Sequence, residues 1–372
     1  MRLISNKKIN EFRNKLQENK IDAALFLCKE PIHDVNIEYF TGFQQVKYYS
    51  FSCLLLSQDK MSLIVNPMEY DRAVREAKAD EIIKISEQPL SKTLKEKLKP
   101  YSVIGIKEDI FPYSLYKKIK KPKLKFHDIG DYILEIRSVK EPEEIERIKE
   151  ACNIADYGIE FIENNLSPNF KAKEFALELE QELRKRGAEG HGFPTILTSG
   201  KLSCDIHPTP GASDQKIQNG LGLIDFGAVY KGYCSDVTVP FIIGEISKEQ
   251  EKIVKTVEQA YQKSVEAIKI GLPTWELHET ANKIITENGF EFKHNLGHGL
   301  GLETHDMPYI RPKPKDKNEL KKWKEVRLKE NMVFTIEPGI YEPNIGGCRL
   351  ENDVLITSKG PKILTNSKLI KI

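Results

Sequence analysis

A short stretch, residues 223–239, constrains the fold of this chain more than any other. Two apolar runs rich in β-branched residues flank a Lys-Gly pair at 231–232, where glycine supplies the positive φ that a tight hairpin turn needs. With the turn at this pair, Asp225 faces Thr238 across the ribbon. Asp225 and Asp236 then share one face as diagonal neighbours, within side-chain reach of a common point.

The two aspartates admit two interpretations. An inward-facing pair needs a counter-charge, because buried carboxylates repel each other and lose hydration, and a metal ion is the simplest source of that charge. A pair of solvent-facing acids on a surface hairpin explains the pattern equally well. The stretch alone leaves both interpretations open.

Length and composition restrict the class of protein. The chain has 372 residues, enough for two domains, and its 40% hydrophobic and 30% charged residues are typical of globular proteins. Its 57 basic and 55 acidic residues sum to a net charge of +2, which predicts no nucleic-acid or membrane partner. No apolar run suits a signal peptide or a membrane span, and six scattered cysteines without a Cys-x-x-Cys pair indicate a reducing compartment. We therefore expect a cytoplasmic protein.

Hydrophobic periodicity divides the chain near residue 137. The first part alternates strand-like runs with helical stretches, beginning with an amphipathic helix over 4–19, as in an α/β domain. No glycine-rich phosphate loop follows its strands, so a nucleotide site has no support. After the division, Pro142 and the acids behind it begin a long helix, which glycine-punctuated strands, further helices and a strand-rich tail follow. The predicted domains are residues 1–137 and 138–372.

Three further residues stand in settings that favour ligation. His298 lies between glycines, which leave its imidazole uncrowded. Glu337 ends an apolar strand ahead of Pro-Gly. Glu351 lies in a predicted strand over 346–356, where alternation places Arg349 on the same face, able to hold Glu351.

Each of these residues has an ordinary explanation by itself, as a turn histidine or as an acid at the end of a strand. Together they form an oxygen-rich set without thiolates, with a charge of about −4 when its four acids are ionised. Such a set is what two adjacent divalent cations require, and Mn²⁺, Co²⁺ and Zn²⁺ are all chemically acceptable. The set is Asp225, Asp236, His298, Glu337 and Glu351.

Another histidine and glutamate imitate a zinc motif. Residues 275–282, Trp-Glu-Leu-His-Glu-Thr-Ala-Asn, place Asn282 where a helical zinc site needs its second histidine. We therefore expect His278 and Glu279 on the helix surface. The insert at 313–329 is dense in charged residues and is expected to be a solvated loop with a helical turn.

The order and spacing of the five candidate ligands resemble those of the metal-dependent family that includes prolidase, aminopeptidase P and methionine aminopeptidase. The local motifs agree: Ile-Asp-Phe-Gly, Tyr-Cys-Ser-Asp-Val-Thr, Gly-His-Gly-Leu-Gly, Thr-Ile-Glu-Pro-Gly-Ile-Tyr and Arg-Leu-Glu-Asn-Asp. A separate preceding domain, with Tyr-Phe-Thr-Gly-Phe at 39–43, resembles the prolidase, aminopeptidase P and creatinase branch. The resemblance covers essentially the whole chain.

The resemblance implies a creatinase-like α/β N-terminal domain and an α+β catalytic domain of the pita-bread fold, in which helices cover an antiparallel sheet. Asp225 would chelate one of two divalent ions, Asp236 and Glu351 would bridge both, and His298 with Glu337 would complete the second. We expect Mn²⁺ or Co²⁺, with Zn²⁺ as the alternative. The family also implies a homodimer.

Roles for residues around the ions follow from the same resemblance. Glu337 would shuttle a proton, His305 would hold the developing oxyanion, and His207 would lie near the leaving nitrogen. Two more roles come from the residue pattern itself: Thr238, opposite Asp225, and Arg349, on the same face as Glu351, would orient the ligands.

The implied activity is hydrolysis of peptide bonds that precede proline. Chain size slightly favours an Xaa-Pro dipeptidase, and an Xaa-Pro aminopeptidase acting on longer peptides is the alternative. A non-catalytic scaffold of the same fold is a third interpretation, although such relatives have lost ligand positions. The chain departs from the family pattern near the substrate. Ile206 instead of proline precedes His207, Val239 stands where arginine is common, and Tyr309 stands where some prolidases carry a carboxylate-binding arginine, with Arg311 two residues on.

Overall fold

The computed structural model describes residues 4–45, 50–85 and 88–372. Residues 1–3, where the predicted first domain begins, lie outside these ranges. The chain divides into two compact units, Met1–Arg137 and Ser138–Ile372. Within the described ranges, no helix is both long enough and apolar enough to cross a membrane.

The first unit is built on a six-stranded mixed sheet with the strand order β4-β3-β2-β1-β5-β6. Strands β1 and β2 and strands β2 and β3 pair antiparallel, whereas the other three pairs are parallel. The strands are β1 (Ala23–Lys29), β2 (Phe51–Ser57), β3 (Met61–Val65), β4 (Glu81–Lys84), β5 (Val103–Ile106) and β6 (Lys125–Asp128). The helices are α1 (Asn6–Glu18), α2 (Asn36–Thr41), α3 (Tyr70–Glu76), α4 (Leu90–Lys97), α5 (Tyr113–Ile119) and α6 (Gly130–Ser138).

Helix α1 shows why this part of the chain folds as its pattern predicts. Ser5 caps the helix by accepting the backbone N–H of Lys8, and the stripe of Ile9, Phe12 and Leu16 is buried. The predicted α/β architecture of the first unit is therefore confirmed.

The second unit contains four sheets and five α-helices in its described residues. The helices are α7 (Pro142–Asn165), α8 (Ala172–Lys185), α9 (Lys248–Ala267), α10 (Thr274–Glu287) and α11 (Lys317–Lys322). The strands are β7 (Gly190–His191), β8 (Ile196–Ser199), β9 (Gly220–Phe226), β10 (Ala228–Tyr230), β11 (Tyr233–Cys234), β12 (Val237–Ile243), β13 (Gly297–Gly299), β14 (Asp306–Ile310), β15 (Val333–Ile336), β16 (Gly339–Glu342), β17 (Gly346–Arg349), β18 (Asn352–Thr357), β19 (Gly360–Ile363) and β20 (Ile370–Lys371).

The sheets of the second unit are antiparallel except where β20 joins β12. Their strand orders are β11-β10-β7, β20-β12-β9-β8, β14-β13-β15-β18-β19 and β16-β17. One apolar cluster joins α7 and α8 to the four-stranded sheet, and another joins α9 and α10 to the five-stranded sheet. Helices thus cover the two larger sheets, and the polar site lies where residues from both sheets meet.

The hairpin of residues 223–239 has the predicted register. Lys231 and Gly232 have φ values of 47° and 81°, so both adopt the left-handed conformation of a tight hairpin turn. Asp225 pairs with Thr238, as the pattern predicts. The opposite face of the ribbon packs so closely that a Cβ on Gly158 of α7 would lie 2.7 Å from the ring of Phe226. That helix therefore needs glycine at this position.

Two local predictions are wrong. The predicted continuous strand over 346–356 is broken at Leu350 and Glu351, because the chain leaves the two-stranded sheet there and enters the five-stranded one. His278 is buried and not on the helix surface, because it lies beside the inner stripe of α10 and stacks on Phe292 with the ring centroids 5.0 Å apart. Glu279 is exposed as expected.

The six cysteines are free in the structure. The expectation about the insert is confirmed. The insert at 313–329 is mostly exposed and contains the six-residue helix α11, whose N-terminus is capped by Asp316.

Candidate metal centre and active site

The five candidate ligands all line one cleft, of about 720 Å³. Each comes from a strand or the end of a strand: Asp225 from β9, Asp236 just before β12, His298 from β13, Glu337 just after β15 and Glu351 from the break between β17 and β18. His207, His305 and Arg349 line the same cleft, whereas Thr238 is buried behind it. The structure therefore brings together the residues that the sequence selected.

Three of the ligands converge closely. Asp236, His298 and Glu351 each direct a ligand atom to within 4.8 Å of the other two. The Nε2 atom of His298 lies 3.6 Å from Asp236 Oδ2 and 3.4 Å from Glu337 Oε1. These distances suit groups that share a cation between them more than they suit direct hydrogen bonds.

The glycines beside His298 allow β13 to approach its neighbours. A Cβ on Gly299 would lie 2.1 Å from the carbonyl oxygen of Met307, and one on Gly297 would lie 2.0 Å from that of Thr335. The ring is oriented by its Nδ1, which donates to the carbonyl of Gly299 at 3.1 Å. That contact leaves Nε2 with a lone pair directed at the acids, as a metal-binding imidazole requires.

Arg349 organises the acids from behind. Its guanidinium donates to Asp225 Oδ2 at 2.5 Å, to the hydroxyl of Tyr341 at 2.8 Å and to Thr238 Oγ1 at 2.9 Å. The hydroxyl of Thr238 in turn donates to Glu351 Oε2 at 2.6 Å. Arg349 therefore binds Asp225 directly and reaches Glu351 through Thr238.

The buried carboxylates of the cleft carry more negative charge than the neighbouring cationic side chains can balance. Burial, followed by repulsion from neighbouring carboxylates, raises the pKa values of Asp236 and Glu351 well above the ordinary range. Burial also raises the pKa of Glu337 to about 7, against the attraction of Arg349. One oxygen of Asp225, Oδ1, is buried without a hydrogen-bond partner among the described residues. Carboxylates and an imidazole with an unsatisfied oxygen fit divalent metal ions, whose charge would offset this repulsion.

Two further histidines lie near the ligands. The ring of His305 packs edge-on against that of His298, with the centroids 4.1 Å apart. Partial desolvation and the adjacent His298 ring lower the pKa of His305, so its imidazole is neutral at neutral pH. His207 is exposed at the cleft wall.

The sequence interpretation missed His294, which also lines the cleft. Its Nδ1 donates to the carbonyl of Asn295 at 2.7 Å, and its Nε2 lies 3.1 Å from the hydroxyl of Tyr341. Because Tyr341 also accepts a hydrogen bond from Arg349, a polar chain runs from Asp225 to His294. Its position four residues before His298 was a signal available in the sequence.

Tyr309, at the position where some prolidases bind the substrate carboxylate, and the nearby Arg311 lie away from the cleft lining. Tyr309 pairs with His298 across β13 and β14. Arg311 is exposed, and its guanidinium lies over the rings of Tyr309 and Trp323, at 5.9 Å and 5.2 Å from their centroids. Neither Tyr309 nor Arg311 is among the described residues that line the cleft.

Comparison with known proteins agrees with this geometry. Residues 146–358 match the profile of metallopeptidase family M24, and residues 8–139 match that of the creatinase/prolidase N-terminal domain. The chain belongs to metallopeptidase family M24. The predicted family, the creatinase-type and pita-bread fold and the prediction of a metal-dependent peptidase are thereby confirmed.

Relatives in this family are similar over nearly their whole length. The chain is 36% identical to Xaa-Pro dipeptidase of Pyrococcus furiosus, over 95% of this chain and 96% of the relative. The crystal structure of the prolidase from Pyrococcus horikoshii OT3 superposes with a TM-score of 0.86 at 32% identity, covering 98% of this chain and 99% of that one. X-Pro aminopeptidase from Thermotoga maritima superposes with a TM-score of 0.81, also at 32% identity, covering 96% and 100%.

Proposed function

We propose that this chain is an Xaa-Pro dipeptidase that hydrolyses the peptide bond preceding proline with the help of two divalent metal ions. The observation that carries the proposal is the convergence of four carboxylates and an imidazole in one cleft with too little positive charge of its own. The similarity to the Xaa-Pro dipeptidase of Pyrococcus furiosus supports the choice of substrate.

The ions would be held by the five ligands already described, and Arg349 and Thr238 would keep the carboxylates in place. When bound, such ions polarise the scissile carbonyl and lower the pKa of an attacking water. An oxygen-rich set with one imidazole suits Mn²⁺ or Co²⁺, with Zn²⁺ as the alternative.

Glu337 and His305 would take part in the reaction, Glu337 by transferring a proton and His305 by stabilising a developing negative charge. Glu337 lines the cleft beside the proposed ions, which suits its carboxylate to carry a proton from water to the leaving nitrogen. Its Oε1 is held by the hydroxyl of Thr335 at 3.1 Å. The neutral ring of His305 is suited to donate an N–H to the developing oxyanion. His207, on the cleft wall, is suited to contact the substrate near the leaving nitrogen.

The side of the cleft formed by the 192–211 segment offers a surface for the substrate's proline ring. Phe193, Pro194, Ile196 and Ile206 line it and are all apolar. Such a wall binds a pyrrolidine ring by excluding water from it. It therefore favours substrates with proline directly after the scissile bond.

The organisation of the whole protein belongs to the same proposal. Residues 138–372 would form the catalytic domain, which carries every proposed ligand, and residues 1–137 the creatinase-like N-terminal domain. We further propose a homodimer in the cytoplasm. Six free thiols support a reducing compartment.

A peptide panel tests the substrate assignment. Chelator-treated protein reloaded with Mn²⁺, Co²⁺ or Zn²⁺ should cleave Ala-Pro readily and spare Ala-Pro-Ala. Rapid cleavage of the tripeptide with sparing of the dipeptide would instead establish an Xaa-Pro aminopeptidase. One observation favours that second candidate: Tyr309 stands where some prolidases carry a carboxylate-binding arginine, and the exposed Arg311 is not among the described residues that line the cleft.

Metal analysis of the same preparations tests the enzyme assignment. Two ions per chain are expected after reloading. A protein that binds no divalent ion and cleaves neither peptide would be a scaffold of the same fold, and the proposed activity would be wrong.

A further inference from the structure

A fully buried carboxylate lies behind the metal cleft without lining it. Asp353 of β18 is 0% exposed, and its Oδ2 accepts the backbone N–H of Asp236 at 3.1 Å and the S–H of Cys152 at 3.3 Å. Its other oxygen, Oδ1, has no hydrogen-bond partner among the described residues. Burying such a group costs stability, so its contacts need an explanation beyond packing.

The contact with Asp236 compensates for a gap in the strand pairing. Asp236 falls between the end of β11 at Cys234 and the start of β12 at Val237. Its backbone N–H is directed at Asp353 and not at the carbonyl of a neighbouring strand. Asp353 therefore satisfies a buried donor and also determines how this short segment is oriented.

The same contact belongs to a regular set of links between two strands. Asp236 directly precedes β12, which holds Thr238, and Glu351 directly precedes β18, which holds Asp353, so each pair is two residues apart along the chain. Thr238 exchanges two hydrogen bonds with Glu351: its carbonyl accepts the Glu351 N–H at 3.2 Å, and its hydroxyl donates to the Glu351 carboxylate at 2.6 Å. One residue pair further along, Asp236 donates to Asp353. The links hold the segments of Asp236 and Glu351 in one register, although β12 and β18 belong to different sheets.

We propose that Asp353 is a positioning residue for the metal centre. Its carboxylate, oriented by the thiol of Cys152 from α7, fixes the backbone of Asp236 and thereby the Asp236 carboxylate that would bind metal. The proposal rests on the proposed function, which makes Asp236 a metal ligand. Groups that orient a ligand in this way typically contribute 10- to 100-fold to metal affinity.

Three variants of the full-length chain test the role. Asp353→Ala removes the acceptor and should weaken Mn²⁺ binding about 10- to 100-fold, measured by titration calorimetry on chelator-treated protein. Asp353→Asn keeps a side-chain oxygen for the Asp236 N–H and should recover most of that affinity. At saturating Mn²⁺, kcat of Asp353→Ala on Ala-Pro should approach the wild-type value, because every ligand remains present.

The matched control is Asn352→Ala. Asn352 is equally buried on the same strand, but its side chain bonds Tyr261, Thr365 and Ser367 instead of a ligand. It should lower the Tm of the metal-free protein without changing the affinity for Mn²⁺. A loss of Tm in Asp353→Ala with unchanged affinity would reduce Asp353 to a structural residue and overturn the proposal.

A second route covers failure of Asp353→Ala to fold. Cys152→Ala removes one donor to Asp353 and leaves Asp236 bonded, and it should weaken Mn²⁺ binding several-fold. Unchanged affinity in that variant would overturn the proposed orientation by the thiol. If the wild type itself binds no ions and cleaves no Xaa-Pro peptide, the proposed function fails and this inference fails with it. Wild-type binding and cleavage with equal affinity in all variants would defeat this inference alone.

Discussion

Replacing Glu337 with glutamine should inactivate the enzyme and at the same time stabilise the metal-free protein. The pKa of Glu337 is about 7 in the folded chain, against an ordinary value of 4.5. Because folding raises this pKa, the folded state binds the proton more tightly than the unfolded state. Stability is therefore highest below about pH 4.5, falls as the pH rises towards 7 and stays low above it.

The size of the effect follows from the same two values. Their difference corresponds to about 3 kcal/mol at about 1.4 kcal/mol per pH unit, an upper figure for a carboxyl that sits among other acids. Glutamine is nearly isosteric and carries no charge, so Glu337→Gln should be more stable than the wild type at pH 8 by up to this amount. For a unit of this size the gain corresponds to about 6–12 °C in Tm.

Thermal unfolding in EDTA at pH 8 and pH 5 measures the effect. The difference between variant and wild type should be large at pH 8 and small at pH 5. Excess Mn²⁺ should reverse the order, because the wild type gains the free energy of ion binding. Glu330→Gln, at an exposed glutamate of the same unit, should change stability by no more than about 0.5 kcal/mol at either pH. A Glu337→Gln variant that is no more stable than wild type at pH 8 would refute the reasoning.

Three other substitutions have defined outcomes. Arg349→Met removes three buried hydrogen bonds and the counter-charge of the acids, and it should cost about 3–5 kcal/mol of urea-unfolding free energy in EDTA, less with Mn²⁺. Gly299→Ala places a Cβ 2.1 Å from the Met307 carbonyl, so strand separation should cost about 1–3 kcal/mol and weaken Mn²⁺ binding measured by calorimetry. The pKa of Glu81 is lowered to about 2, chiefly by its hydrogen bond from Lys60. Glu81→Gln should therefore cost at most about 1 kcal/mol at pH 7, and unfolding curves should show this cost shrinking as the pH falls from 4.5 towards 2.

These substitutions have their own controls. Gly130→Ala introduces a Cβ whose nearest neighbour is Asp128 Oδ1 at 3.4 Å, an ordinary contact distance. This substitution should therefore leave stability nearly unchanged. An Arg349→Met protein as stable as the wild type in EDTA would contradict the role of Arg349 as counter-charge. A Glu81→Gln cost that grows in acid would show that the sign of the linkage is wrong.

Local patterns were enough to predict the hairpin and to select five residues that meet in one cleft. Alternation and the Lys-Gly turn determined that Asp225 faces Thr238, because strand period and turn conformation depend on neighbouring residues only. The same locality explains the correct prediction of helix α1. His298 could be selected because the glycines around it are visible in the sequence.

The errors and omissions have a common cause. His278 was placed on the surface because its neighbours in sequence do not reveal that Phe292 packs on its ring. The break at Glu351 was missed because an alternating pattern does not show that the chain changes sheets. The contact between Tyr341 and His294, which completes the polar chain from Arg349, likewise joins residues 47 positions apart.

By itself, the sequence determined which residues can bind metal and which of them share a face, since residue chemistry and backbone periodicity are local properties. Only the tertiary structure decided what stands behind each ligand. Arg349 behind Asp225, Thr238 behind Glu351 and Asp353 behind Asp236 are contacts between residues more than 100 positions apart. Burial and the mutual repulsion of the acids also arise only when the two sheets meet, because a carboxylate loses its water only in a packed interior.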